Sequence, residues 1–65
     1  MRVQVNGTAR ELTEGTTVGE VVAATGALQT GVAVALDGAV LPRARWSSPL
    51  REGSTVEVLT AVQGG

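Results

Sequence analysis

"TTVGEVVAATG", Thr16 to Gly26, is the one stretch of the sequence that reads as a helix, and what flanks it reads as strand and turn. Thr17 is followed three residues later by Glu20, a capping box. Hydroxyl and carboxylate there each satisfy a backbone N–H that the first helical turn leaves without a partner. Val18, Val21, Val22 and Thr25 recur at i, i+3, i+4 and i+7, which is one buried stripe of a helix. Gly26 supplies the C-terminal stop. Gly19, inside the first turn, costs about 1 kcal/mol relative to alanine and signals either close approach of another segment or an uneasy helix. A helix this short, Val18 to Thr25, holds only by packing on something larger.

The flanks say what that larger thing is. Toward the N-terminus, Val3 and Val5 alternate with Arg2 and Gln4 and run into Asn6-Gly7, whose tolerance of positive φ makes it a strong hairpin signal. Thr8 to Leu12 is the returning strand, and Glu14-Gly15 turns the chain into the helix. Beyond the helix, Val32 to Leu36 reads as a strand, Asp37-Gly38 as a turn, and the next residues through Leu41 as a short extended piece. Pro42, which has no N–H for a ladder, ends that piece or confines it to an edge. Pro49 and Gly53 punctuate "SSPLREG", and Thr55 to Ala61 alternates again as the last strand. The order β, β, α, β, β, β offers one helix to cover one sheet, a two-layer α+β plan of the β-grasp kind with a mixed sheet of four to five strands. Residues 1–61 form the domain and 62–65 a tail. Val3, Val5, Val34, Leu36, Val56 and Val58 face the helix; Ala33, Ala35, Leu59 and Ala61 fall on the opposite face, a modest apolar surface suited to docking.

Composition narrows the chemistry. At 65 residues the chain is one small domain. It has neither Cys nor His, so no disulfide framework and no metal site are expected. Its hydrophobic fraction of 43% is mostly Val, Ala and Leu, with Trp46 the single aromatic residue, which disfavours recognition by base stacking. A net charge of −1, with five Arg and no Lys, provides no basic stripe, so nucleic acid and anionic membrane are not expected partners. Apolar runs such as Val32 to Leu36 fall far short of the roughly 20 residues that cross a bilayer, and "MRVQVNG" is no signal-peptide core, so a cytoplasmic location is expected. The hydroxyls lack a His or Lys base to activate them. Asp37, Glu11, Glu14, Glu20, Glu52 and Glu57 are scattered over caps, turns and strand surfaces, with nothing to force an acid/base pair together. No phosphate-binding glycine loop is present. The chain is read as a non-enzyme.

What remains is the ending, Val62-Gln63-Gly64-Gly65. Glycine carries no Cβ, so Gly64-Gly65 suits passage through a narrow channel, leaving the carboxylate unobstructed. Fully extended, Val62 to Gly65 reaches roughly 13 Å at about 3.3 Å per residue, enough to enter another protein's active site while the domain stays outside.

"LPRARW", Leu41 to Trp46, together with the Asn6-Gly7 opening, the "TTVGEVV" helix start, "LREGSTVEVL" and the Gly-Gly ending, resembles the ThiS family of thiamine-biosynthesis sulfur carriers over essentially the whole chain. One departure is Ser54, where the family pattern commonly has Asp. The resemblance implies that an E1-like adenylyltransferase, ThiF, uses ATP and magnesium to adenylate the Gly65 carboxylate. A persulfide donor then supplies sulfur, and the resulting thiocarboxylate delivers it to thiazole synthase, ThiG. No cofactor is bound by the chain itself. Gly65 would carry the sulfur and Gly64 would give clearance. Leu59, Ala61 and Val62, at the tail's root or on the helix-free face, are candidates for docking. Arg43 would cap carbonyls or meet an acidic partner surface, and Trp46 is read as a packing lid. Two neighbouring readings stay open: a molybdopterin-synthase small subunit, whose chains are usually longer, and a ubiquitin-like modifier joined to lysine amines.

Overall fold

A computed structural model describes residues 1–26 and 31–60. The strands are β1 (Arg2–Val5), β2 (Thr8–Glu11), β3 (Val32–Leu36), β4 (Ala39–Val40) and β5 (Thr55–Thr60), with one helix, α1 (Val18–Ala24), and a 3₁₀ turn at Arg43–Arg45. They form one five-stranded sheet in the order β2-β1-β5-β3-β4, with α1 on one face, the β-grasp arrangement. The last strand in the chain is central in space. β5 pairs parallel to β1 and antiparallel to β3.

Two turns of the same chemistry hold β5 in place. Asn6 and Asp37 adopt φ of 50° and 51°, each followed by a glycine at positive φ, the backbone that two-residue hairpins need to match strand twist. Both side chains then reach β5: Asn6 Oδ1 accepts from the Val58 N–H and Asp37 Oδ1 from the Thr55 N–H, each at 2.8 Å. The two turns also donate their own N–H groups to β5, Asn6 to Val56 O at 2.9 Å and Asp37 to Thr55 O at 2.8 Å. The β1–β5 ladder reaches only Val5 and Val56, so the Asn6 side chain satisfies the next donor along β5 where the strand partner has turned away.

The core is aliphatic. Val18, Val21 and Val22 of the helix meet Val3, Val5, Val34 and Val56 of the sheet, closed off by Trp46 and Leu50. Leu36 and Val58, expected on the same face, are half-buried and pack against this cluster. Two local expectations change, and a third lies partly outside the described residues. Thr25 is exposed and not part of the buried stripe: it is the C-cap, and its hydroxyl donates to Val22 O at 2.7 Å. β2 ends at Glu11, although the Leu12 N–H still donates to Met1 O at 2.8 Å. The described part of the last strand ends at Thr60, and Ala61 lies outside the described residues.

The capping box is present in both directions: the Glu20 N–H donates to Thr17 Oγ1 at 3.2 Å and the Thr17 N–H to Glu20 Oε1 at 2.9 Å. The other donors of the first turn meet the crossover between β4 and β5. Val18 N–H reaches Ser48 O at 3.3 Å and Gly19 N–H reaches Trp46 O at 2.8 Å, while the Leu50 N–H returns to Thr16 O at 2.8 Å. Gly19 therefore marks a real close approach. The space is not prohibitive, since a Cβ there would lie 3.5 Å from Trp46 O and 3.8 Å from Trp46 Cβ.

Candidate docking site at the root of the tail

The strand that leads toward the tail is the best-anchored element of the sheet, bonded on both sides and fixed by the Asn6 and Asp37 side chains. Strand alternation puts Val56 and Val58 on the helix side and Glu57 and Leu59 on the open side. Leu59 lies opposite Ala33, and Ala35 lies between Glu57 on one side and Val40 on the other. Ala33, Ala35, Val40 and Leu59 thus form an apolar patch on the helix-free face, in which Leu59 is 59% and Val40 79% exposed. Val40 was not foreseen as a member. Its signal was the pairing implied by the tight Asp37-Gly38 hairpin, which sets Val40 opposite Ala35. The described end of β5, Thr60 opposite Val32, adjoins this patch. Ala61 and Val62, also expected to dock, lie outside the described residues, as do Gly64 and Gly65, for which clearance and sulfur carriage are expected.

Arg43 does not join Leu59. It follows β4 in the 3₁₀ turn, in the helix layer, and shares a shallow groove with Thr17, Gly19, Glu20, Ala23 and Trp46. Its guanidinium stands 5.4 Å from the centroid of the Trp46 ring, a cation–π arrangement. Trp46 is itself core: 8% exposed, with its indole N–H donating to Leu41 O at 3.2 Å and its carbonyl accepting from the Gly19 N–H. Leu59 and Arg43 therefore sit on different layers, and the Arg–aromatic pair belongs to the packing that holds the crossover against the helix.

Ser54, the one departure noted in the sequence, closes a turn with Arg51. It is buried, its Oγ accepts from the Arg51 N–H at 3.2 Å and its N–H donates to Arg51 O at 3.0 Å. Gly53 at φ 82° completes the bend, and Ser54 O accepts from Gln4 N–H at 2.9 Å to start the β1–β5 ladder. The carboxylates are less scattered than expected. Glu11 and Glu14 both approach the Met1 ammonium, at 3.7 and 3.8 Å, but are 69% and 85% exposed, so they form a solvated ion pair and not an acid/base cleft. Among the described residues no group of three His, Cys, Asp or Glu is placed to hold a metal ion, and no helix is long and apolar enough to cross a membrane.

Comparison with known proteins agrees with the β-grasp fold. A model of the ThiS family matches residues 3–65. A crystal structure of a thiamine biosynthesis protein (ThiS) from Geobacter metallireducens is 32% identical, is covered over 100% of both chains, and superposes with a TM-score of 0.79. A solution structure of a thiamine biosynthesis protein from the same organism, also 32% identical, covers 100% of this chain and 88% of that one with a TM-score of 0.78. Curated proteins yield no match.

Proposed function

The chain belongs to the ThiS family, and from that premise we propose that it is a sulfur carrier of thiamine biosynthesis whose working group is the carboxylate of Gly65. The observation that carries this reading is that the family match extends through Gly64 and Gly65. The chemistry of the rest of the chain is consistent with it, since neither a His nor a Lys is available to activate a nucleophile.

The carrier acts as a co-substrate. A free carboxylate resists attack by sulfur, so an E1-like partner joins a Gly65 oxygen to the α-phosphorus of ATP with release of pyrophosphate. The terminal sulfur of a persulfide then attacks the Gly65 carbonyl carbon and expels AMP. Cleavage of the remaining sulfur–sulfur bond by a thiol leaves a thiocarboxylate, which a thiazole synthase consumes. ATP and magnesium belong to the activating partner. This chain contributes two things: a tail without side chains near its reacting end, and a strand that holds the root of that tail. The apolar patch around Leu59 is the surface that docks on the partner enzymes, because it adjoins that root and has few charges to desolvate.

Intact-mass measurement tests the proposal. After incubation with ATP, magnesium, a cognate activating enzyme and a sulfur donor, the protein gains the mass difference of one oxygen replaced by sulfur, located on Gly65. Absence of that gain, with an enzyme shown to be active on its own carrier, overturns the reading.

A further inference from the structure

The opposite side of the molecule carries a different feature. β2 is an edge strand, with β1 on one side and no strand on the other among the described residues. Leu12 and Met1 exchange hydrogen bonds, at 2.8 and 2.7 Å, and in an antiparallel pair every second residue pair is bonded. The register then bonds Arg10 to Val3 and Thr8 to Val5, and turns the backbone N–H and C=O of Ala9 and Glu11 outward.

Beside this edge, between β2 and α1, lies a cleft of about 190 Å³ with Val5, Leu12, Val21 and Ala24 as its apolar lining. Arg10 and Glu20 flank it, and the two charges are not equivalent. Glu20 is held by the N–H and hydroxyl of Thr17. The Arg10 guanidinium has no ion pair or hydrogen bond among the described residues.

Free main-chain groups, an apolar cleft and an unpaired guanidinium on one edge describe their own ligand. We propose that the β2 edge and the adjoining cleft form a second recognition site, separate from the Leu59 face, that captures an extended segment of a partner protein by strand addition. Side chains on one face of a strand recur every second residue, so the segment places an aliphatic side chain in the cleft and, two residues away, a carboxylate against Arg10. A second copy of this chain is a poorer occupant. In a two-fold pairing centred on Arg10, two guanidiniums would face each other, and like charges directly opposite are unfavourable.

The experiment is an NMR titration of the isotope-labelled full chain with an end-capped peptide in which isoleucine and aspartate alternate at every second position, separated by threonine. The expected result is movement of the Ala9, Glu11, Val21 and Ala24 amides with Ala33 and Leu59 unmoved. Arg10→Glu weakens binding by at least about tenfold by opposing the peptide charge. Ala9→Pro does the same through a separate route, since it removes an outward N–H and leaves the β1 ladder intact. Leu59→Asp leaves peptide binding unchanged, which separates this site from sulfur-carrier docking. The proposal is overturned by shifts confined to the Leu59 face, by equal binding of a peptide with lysine in place of aspartate, by unaltered affinity in Arg10→Glu, by dimerisation through β2 in place of binding, or by no binding at millimolar peptide.

Discussion

The side-chain oxygens of Asn6 and Asp37 both accept from N–H groups of β5, and each does so from a backbone at positive φ. Asn and Asp meet these two demands together, because they tolerate the left-handed region and carry a short acceptor. Asn6→Ala removes the acceptor for the Val58 N–H and puts a less tolerant residue at φ 50°. Its expected cost is about 1 to 2 kcal/mol, read as a lower urea midpoint at unchanged m-value. Asn6→Asp keeps the acceptor and recovers most of that loss. An Asn6→Ala variant as stable as the parent would mean that water replaces the side chain at no cost. Ser54 works in a related way at the same scale: its hydroxyl is a short acceptor that meets the Arg51 N–H within the turn.

At the scale of the element, α1 is seven residues long and depends on what surrounds it. Its capping box was legible because Thr17 and Glu20 are three residues apart and their chemistry is reciprocal. Its buried face was legible through Val18, Val21 and Val22, whereas periodicity alone placed Thr25 one turn too far, beyond the point where the helix is covered. The role of Gly19 divides in two. Its backbone is needed, since the N–H donates to Trp46 O, but the space for a methyl group is ordinary van der Waals distance. Gly19→Ala should therefore stabilise the protein by roughly 0.5 to 1 kcal/mol through helix propensity and a less flexible unfolded chain. A higher thermal midpoint is the expected outcome, and a fall would show that the added contact with Trp46 outweighs the gain in helix propensity.

For the molecule as a whole, the sheet separates two surfaces: the Leu59 patch on its free face and the Arg43–Trp46 pair in the helix layer. Leu59→Asp, at an exposed position, should leave the unfolding free energy within about 0.5 kcal/mol of the parent. It should also weaken binding to the activating enzyme about tenfold or more, by placing a charge in an apolar contact. Calorimetric titration against the enzyme, with the variant's unfolding curve as control, checks both halves; unchanged affinity would remove the patch from the docking surface. The parts legible in advance were those with short-range causes. Hairpin turns, the cap, strand alternation and the Gly-Gly ending are each set by residues within a few positions of one another, and the resemblance that rests on them agrees with the family match. The tertiary structure alone decided that β5 is central and parallel to β1, that Leu50 joins the core beside the expected lid Trp46, and that Arg43 and Leu59 lie on different layers. Those facts depend on contacts such as Asn6 with Val58, 52 positions apart, for which neighbouring residues carry no signal. Local patterns name the pieces and their faces, and only long-range packing selects which edges meet.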